Sequence, residues 1–542
     1  MAESSAATRR YGCPACGGGL QYDIASGKMK CDRCDTLTSL ADLPWEEPGE
    51  MLEVNEFHCP QCGAAVYSTD TEVTSFCSFC GSDVVLTGKL GRTRRPAYIV
   101  PFQVTREKCE QAYRDHLKGY LLAPSALKKA ETVSHFRPVY IPFWSYRVEA
   151  QGVARLEGKK SYTRGDYRYD ETYDLTMDAV ISQKGILYDA STAFEDETAA
   201  LLQHTMQQAE PFHPAYLSGF YAQGADVPGE TYHQEAAASA VRLFMDQVKE
   251  ETGMDSVEMK GDIEENFGLP DARYQEQLVM MPVWLLAHRQ GDRVVYTAIN
   301  GRSGEVVCDV PVSNGKVAGV TLALAAGLFF LLHQFVTLKP ELLMALCAVV
   351  SLIIQYQFSG AQKLLFNRRT RAYEPDFALG QRAFVGPAQA LLRKGKEGIS
   401  TRGTGESALE KLKGLGLILL AVLGYAGIQA LSILGSAFGT AGGRRMIVLL
   451  ALLGVLVTMG VHLARRAGKE SRGPLWPRAL SLLACLAGLV SVLSGQAEDL
   501  IYYGCAAAML ISAGIELVMI NRAHNEYASR PTPFFGEKEA AA

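Results

Sequence analysis

The stretch that organises this chain reads Cys13-Pro-Ala-Cys16, then fourteen residues, then Cys31-Asp-Arg-Cys34. The pattern returns as Cys59-Pro-Gln-Cys62 and Cys77-Ser-Phe-Cys80, with every cysteine repeated 46 residues later. A fixed period of this kind indicates an internal duplication. Two facing C-x₂-C turns supply the four tetrahedral sulfurs that Zn²⁺ prefers. The pattern predicts two Cys₄ zinc ribbons, whose ligands are Cys13, Cys16, Cys31 and Cys34 in one and Cys59, Cys62, Cys77 and Cys80 in the other.

Disulfides and buried free thiols are the alternatives to metal ligands. Residues 2–10 are polar and lack the apolar core of a signal peptide, so we expect a reducing cytosol. Paired C-x₂-C motifs in that compartment are more often metal sites than disulfides. Iron in a rubredoxin-like site would use the same ligands and is the main alternative to zinc.

Charge divides the chain into three parts. The net charge is −4 over residues 1–95, −10 over residues 96–316 and +9 over residues 317–542. A nucleic-acid surface needs clustered positive charge to displace counterions from phosphates. Because both parts ahead of residue 317 are acidic, nucleic acid is a disfavoured partner.

The middle part predicts a mixed α+β domain over residues 97–316. Apolar, β-rich segments at 139–150 and 278–288 alternate with helical periodicity at 105–122 and 232–250. The segment Ser161–Asp178 alternates charged and aromatic residues, which favours a solvated sheet face over a metal site. Residues 88–96 contain two glycines and three arginines and predict a basic hinge between ribbons and domain.

Several motifs of this domain resemble a family of bacterial membrane-anchored double-zinc-ribbon proteins of poorly defined function. The resemblance covers residues 10–360 and is carried by Glu210-Pro211-Phe212, Pro214–Tyr221, Val139–Trp144, Met281–Trp284 and Asn300–Val306. Names in this family are borrowed from transcription-factor-IIB-type zinc ribbons or from a replication-restart helicase. The resemblance implies a membrane-anchored cytosolic zinc-ribbon protein and brings no known reaction.

The sequence predicts no catalytic residues and no motor. A nucleotide-driven helicase needs a G-x-x-x-x-G-K-[ST] loop, which the sequence does not contain. A closed Cys₄ site has no vacant position for a catalytic water. The histidines of the acidic domain lack ligand spacing, and Cys109 and Cys308 are isolated in sequence. We therefore expect a protein that is not an enzyme.

The last part predicts about six membrane helices. A span needs about 20 apolar residues, and the candidates are Val317–Val336, Leu342–Phe358, Leu415–Phe438, Met446–Leu463, Ala479–Leu493 and Leu500–Ile520. The second and fifth candidates are short, so re-entrant segments are an alternative. Positive charge in residues 359–414 and 464–478 places both loops, both termini and the ribbons in the cytosol. Gln355, His462 and Glu516 are polar candidates within the spans.

Together these patterns predict a multidomain protein of the bacterial cytoplasmic membrane. Its parts are tandem β zinc ribbons (1–87), a basic hinge (88–96), an acidic α+β cytosolic domain (97–316), a first transmembrane hairpin (317–358), a basic cytosolic loop (359–414), four further transmembrane helices (415–520) and a cytosolic tail (521–542). The favoured function is a zinc-ribbon scaffold or regulator that recognises a protein partner. A membrane-tethered nucleic-acid binder is one alternative, and a transporter or membrane enzyme with regulatory ribbons is another.

Overall fold

A computed structural model describes most of the chain. The described residues are 11–43, 51–68, 77–82, 87–164, 167–192, 198–199, 202, 206–261, 266–267, 273–333, 340–372, 448–460, 476–494 and 499–531. The third predicted span, Leu415–Phe438, lies outside them, as do most of the predicted basic loop and the end of the tail.

The strands of the soluble part form two sheets. A small sheet holds three strands in the order β1-β2-β3, and a large sheet of thirteen strands contains the path β10-β7-β13-β8-β11-β5-β4-β6. The strands are β1 (Leu20–Asp23), β2 (Lys28–Cys31), β3 (Leu37–Thr38), β4 (Met51–His58), β5 (Ala65–Ser68), β6 (Thr87–Arg94), β7 (Tyr98–Ile99), β8 (Arg137–Arg164), β9 (Tyr167–Asp189), β10 (Glu210–Pro211), β11 (Tyr221–Ala222), β12 (Ser256–Met259), β13 (Arg273–Gln290), β14 (Arg293–Asn300), β15 (Val306–Cys308) and β16 (Arg530–Pro531).

The first helices along the chain pack on the large sheet, and the later helices form the apolar C-terminal part. They are α1 (Arg106–Lys118), α2 (Ala130–Val133), α3 (His233–Thr252), α4 (Asn314–His333), α5 (Pro340–Ala372), α6 (Val448–Gly460), α7 (Trp476–Ser494) and α8 (Asp499–Tyr527). Single 3₁₀ turns occupy Leu40–Asp42, Ser125–Lys128, Met206–Gln208, Pro214–Leu217 and Gly229–Tyr232. The predicted periodicities at 105–122 and 232–250 correspond to α1 and α3.

The soluble part has a core with three apolar clusters. One joins β1 and β2 to α1 and to the aromatic residues around Tyr216 and Phe220. Another surrounds the second cysteine set, and the third lies between α3 and the strands β8 and β9. Burial of this much apolar surface is the main stabilising term of such a body.

The basic hinge predicted at 88–96 is wrong. Residues 87–94 form β6, which pairs antiparallel with all eight residues of β4. The guanidinium of Arg94 lies 5.1 Å from the ring centroid of Trp144, and that of Arg95 lies 5.8 Å from the ring of Phe212. Cation–π contacts thus hold arginines that the sequence assigned to a solvated linker.

Three described helices have the length and composition to cross a membrane. They are Pro340–Gln362 with 23 residues, Trp476–Ser494 with 19 and Asp499–Tyr527 with 29, and Val448–Gly460 is a shorter apolar helix. The second and fifth predicted spans are therefore full-length rather than short. The number of six stays a prediction, since part of this region lies outside the described residues.

The first part of the predicted cytosolic tail at 521–542 is ordered against the body. Helix α8 continues to Tyr527, and β16 then pairs with β14 at the edge of the large sheet. The side chain of Arg293 explains this return, because it donates to Ser529 Oγ at 2.8 Å and to the carbonyl of Glu526 at 2.7 Å. The C-terminal helix is thus fastened to the soluble body.

Candidate metal centres

Each predicted cysteine set converges in space. Within each set the four sulfurs lie within 4.8 Å of one another. We call the first set (Cys13, Cys16, Cys31, Cys34) the first centre and the second set (Cys59, Cys62, Cys77, Cys80) the second centre. Each C-x₂-C turn closes with a backbone hydrogen bond, for example from Gly63 N to the carbonyl of Cys59 at 2.8 Å. We call each C-x₂-C turn a knuckle. Gly17, Gly63 and Gly81 each follow a knuckle and have positive φ, which glycine adopts without steric cost.

The sulfur spacing fits a tetrahedral metal. Four sulfurs at about 2.3 Å from one Zn²⁺ lie about 3.8 Å apart along each tetrahedral edge. In the second centre the Cys59–Cys80 and Cys62–Cys77 sulfur distances are both 3.8 Å. In the first centre Cys13–Cys34 is 3.6 Å and Cys16–Cys34 is 3.3 Å. Both groups could hold a metal ion, and these two sulfur distances of the second centre match the edge length of a tetrahedral thiolate site.

The thiols of the centres influence one another's protonation. Hydrogen bonding to Cys62 is the main cause that raises the pKa of Cys77 to about 12, and hydrogen bonding to Cys77 does the same for Cys80. In the first centre the Thr36 hydroxyl lowers the pKa of Cys34 to about 6. Neighbouring thiolates repel, and a divalent cation removes that penalty, so four converging thiols are a favourable metal donor set.

The two centres differ in burial. All four cysteines of the second centre are buried, whereas in the first centre Cys13 and Cys31 are buried and Cys16 and Cys34 are exposed. The duplication has therefore given one enclosed site and one half-open site.

The second centre is built into the core of the soluble body. Its cysteines belong to the same apolar cluster as Ile141, Phe143 and Met281 of the central strands. The hydroxyl of Tyr296 donates to the carbonyl of Phe79 between Cys77 and Cys80. The guanidinium of Arg289 donates to Ser82 Oγ at 2.9 Å, and that hydroxyl lies 3.1 Å from the sulfur of Cys80. Strands β13 and β14 thus both hold the turn that carries Cys77 and Cys80.

The first centre is attached to the body by an aromatic contact. Tyr22 of β1 lies 5.1 Å from the ring of Tyr216 and 6.2 Å from that of Phe220. Its backbone N–H donates to the carbonyl of Ser218 at 3.2 Å. Burial is the main cause that raises the pKa of the Tyr22 hydroxyl to about 12. A cleft of about 550 Å³ separates the rest of this ribbon from Phe102 and Arg302.

The unequal burial predicts unequal metal release. With a chromogenic chelator in excess, we expect one metal ion per chain to leave quickly from the first centre, because Cys16 and Cys34 are accessible. The second ion should leave only when the body unfolds. Absorbance of the metal–chelator complex against time measures this. A Cys34→Ser variant should lose the fast phase alone, and release of both ions in a single phase would contradict the prediction.

Two arginines have contacts that the sequence did not predict. Arg530 lies with its guanidinium 5.1 Å from the ring centroid of Tyr296, the residue that holds the second knuckle. Arg478, assigned by the sequence to a cytosolic loop, is buried, and its Nε lies 4.0 Å from Glu516 Oε1. No spacing rule connects such residues, so their roles become visible only in three dimensions.

Fold and site together define a protein with two zinc-ribbon-like Cys₄ clusters, a mixed α/β body and apolar helices long enough to cross a membrane. A known relative is the uncharacterized protein YdjG of Bacillus subtilis (strain 168), which is 28% identical over 332 residues, 59% of this chain and 96% of that protein. No protein-family model matches the chain, and no solved structure matches it.

Proposed function

We propose that this protein is a membrane-anchored zinc-ribbon scaffold or regulator, which presents a rigid cytosolic body to a protein partner. The observation that carries the proposal is the direct fastening of the soluble body to the end of α8. The amide of Asn525 bonds both backbone groups of Val312, at 2.7 and 2.9 Å. His524 adds a contact of 3.2 Å to the carbonyl of Val310. A body held in this way has a fixed orientation at the membrane surface.

The same contacts support the proposed topology. Val312 lies two residues ahead of α4, and Asn525 lies near the end of α8, so the chain leaves the body and returns to it at one point. A chain that returns to its starting side crosses the membrane an even number of times. Positive charge in residues 359–414 favours the cytosol for that side. Six spans with both termini inside satisfy both conditions.

Reporter fusions test the topology. A green fluorescent protein fused after residue 542 should fluoresce, and an alkaline phosphatase inserted between residues 337 and 341 should be active, because the first folds only inside and the second only outside. The reverse pattern of activity would contradict the cytosolic placement of the body.

The metal in both centres is proposed to be zinc. Cysteine-only tetrahedral ligation is typical of structural zinc, and the 3.8 Å sulfur spacing of the second centre supports it. The ligands Cys59, Cys62, Cys77 and Cys80 would hold a permanent ion. The first set would hold a second ion at the exposed end of the molecule. When bound, the metal supplies cross-linking of the knuckles rather than reaction chemistry.

A joint metal and binding measurement tests the function. Full-length protein purified in detergent is analysed for metal by mass spectrometry and titrated with DNA and RNA at several salt concentrations. About two zinc ions per chain without salt-dependent nucleic-acid binding would support a protein-binding scaffold. Tight, salt-sensitive binding would instead establish the nucleic-acid alternative, and iron would overturn the metal assignment.

One observation favours transport as a second candidate. Helices α5, α7 and α8 bring buried polar side chains together, and ionisable groups inside a membrane indicate function by default. Ser481 Oγ lies 2.8 Å from Ser351 Oγ and 3.1 Å from Gln355 Nε2, one turn from the Arg478–Glu516 pair. Substrate-dependent thermal shifts that an Arg478→Gln variant abolishes would support this candidate over the scaffold.

A further inference from the structure

The strands β8 and β9 extend beyond the body as a two-stranded arm. They pair continuously from Phe143 with Asp189 to Arg164 with Tyr167. The helix α3 covers one face of the pair near its base, and the sulfur of Met254, just past the end of α3, lies against Gly158. Beyond Gly158 this face has no cover from the described residues. We define the arm tip as residues 160–164 and 167–173.

The uncovered face of the arm tip is formed by tyrosines. Alternate residues of a strand share a face, and the cross-strand register places Tyr162 opposite Tyr169 and Arg164 opposite Tyr167. Tyr162, Tyr167, Tyr169 and Tyr173 therefore lie on one face, and they are 41%, 73%, 44% and 41% exposed. This tyrosine face continues the face that is buried under α3 at the base, where Ala154 and Leu156 lie in the core.

The tyrosine face is pre-organised. The rings of Tyr162 and Tyr169 stack at 5.3 Å with an interplanar angle of 13°. The hydroxyls of Tyr162 and Tyr173 both donate to the carboxylate of Glu171. Rigid tyrosines lose little conformational entropy on binding, and for this reason they are enriched in protein-binding surfaces. The opposite face of the tip carries Thr163, Thr172 and charged residues.

The arm points away from the membrane helices. The clamp to α8 lies at the β13–β14 turn, where Arg293 pairs with Pro531. Strand β8 starts near that turn, with Arg137 opposite Leu285, and runs away from it along β13 to Glu149. The remaining residues to Arg164 add about 50 Å of strand at ~3.3 Å per residue. The tyrosine face therefore meets a protein in solution rather than the lipid surface.

We propose that the tyrosine face binds the tyrosine face of a second copy of this chain. Two copies in one membrane are related by a two-fold axis along the membrane normal, and the proposed dimer has its two arms side by side along that axis. Face-to-face packing about that axis places β8 of one copy over β9 of the other. Lys160 and Glu171 are opposite each other in the β8–β9 register. Lys160 of each copy therefore faces Glu171 of the other copy, so the contact occurs two times in the dimer.

Arg164, which also lies on the tyrosine face, is complementary to the tyrosine face of the second copy. Arg164 and Tyr167 form the next cross-strand pair on this face toward the tip after Tyr162 and Tyr169. In the two-fold arrangement the guanidinium of Arg164 lies over the ring of Tyr167 from the second copy, a favourable cation–π contact. Confinement of both copies to one membrane raises their effective concentration, so a small interface suffices.

Photo-crosslinking from the two faces tests the proposal. A benzophenone amino acid replaces either Tyr169 on the tyrosine face or Thr172 on the opposite face, in full-length protein in membranes. We expect a covalent homodimer, near twice the 59.0 kDa chain mass, from position 169 and none from position 172. Equal crosslinking from both positions, or crosslinks only to other proteins, would overturn the proposal.

Charge reversal provides the second test, with protein in lipid nanodiscs examined by mass photometry. Lys160→Glu and Glu171→Lys should each weaken the dimer about tenfold or more, because like charges then face each other. The double variant should restore part of the lost affinity, because the charges across the interface are exchanged while the carboxylate that accepts from Tyr162 and Tyr173 is lost. Two metal ions per chain in each variant would show that the body is folded. A monomeric wild type, or a double variant as weak as the single ones, would refute the inference.

Discussion

Replacing Cys62 by serine is expected to abolish the folded soluble body. The side chain is fully buried in the second centre, and the cluster around it includes Ile141 and Phe143 of the central strands. Metal binding contributes about 10 kcal/mol or more in zinc ribbons, which is comparable to the entire free energy of unfolding of a typical domain, about 5–15 kcal/mol. Yield of soluble body, metal content and thermal unfolding measure the effect.

The matched control is Cys16→Ser in the first centre. Cys16 occupies the equivalent position of the duplicated pattern but is exposed. We expect this variant to stay folded and to bind about one metal ion in place of two, because the second centre does not depend on the first ribbon. An equal loss of folded protein in Cys16→Ser and Cys62→Ser would show that the difference in burial between the two cysteines does not affect stability.

The second large effect is expected from Arg293→Met, which removes the clamp between the body and α8. The guanidinium donates to Ser529 Oγ, to the carbonyl of Ser529 and to that of Glu526 at 2.5–2.8 Å. Hydrogen bonds to charged groups are worth about 1.5–3 kcal/mol each, and the carbonyls lose their donors when the arginine is absent. Because Arg293 is only half-buried, we expect a loss of about 1.5–3 kcal/mol for the docked end.

Hydrogen exchange of the amides in residues 524–531 measures this loss directly. The amides should become unprotected in Arg293→Met while those of β13 stay protected. Arg302→Met is the control, because within the described part of the chain the guanidinium of Arg302 makes no hydrogen bond to the C-terminal segment. Unchanged protection in Arg293→Met would show that the β16–β14 pairing and the Asn525 contacts hold the helix without the arginine.

The two cysteine sets and the central strands β8 and β13 could be predicted from sequence, because the signals are local. A C-x₂-C turn needs only four residues, and alternation or helical periodicity needs about ten. The prediction of a hinge at 88–96 was wrong because the contacts that decide its structure are not local. Its arginines indicate a solvated linker when taken alone, whereas in the structure they lie over Trp144 and Phe212.

The contacts that orient the body could not be predicted in this way. Arg293 and Ser529 are 236 residues apart, and neither lies in a recognisable motif. Arg478 is the last residue of a predicted cytosolic loop, so its charge indicated cytosol, although it lies beside Glu516 between the apolar helices. Pairings at such separations depend on the completed topology and leave no periodic trace in the sequence.

The position of β16 has a consequence for how the protein is made. A ribosome synthesises Tyr296 and β14 long before it reaches Arg530, and the described apolar helices α4 to α8 lie between them. The edge of the large sheet, and with it the Arg530 contact to Tyr296 beside the second centre, is therefore completed only after the last of these helices has been made. A chain that lacks β16 keeps an open sheet edge at this point, which marks it as unfinished to proteases and chaperones. Under the proposed topology, completion of the body would therefore report that the last helix has been inserted.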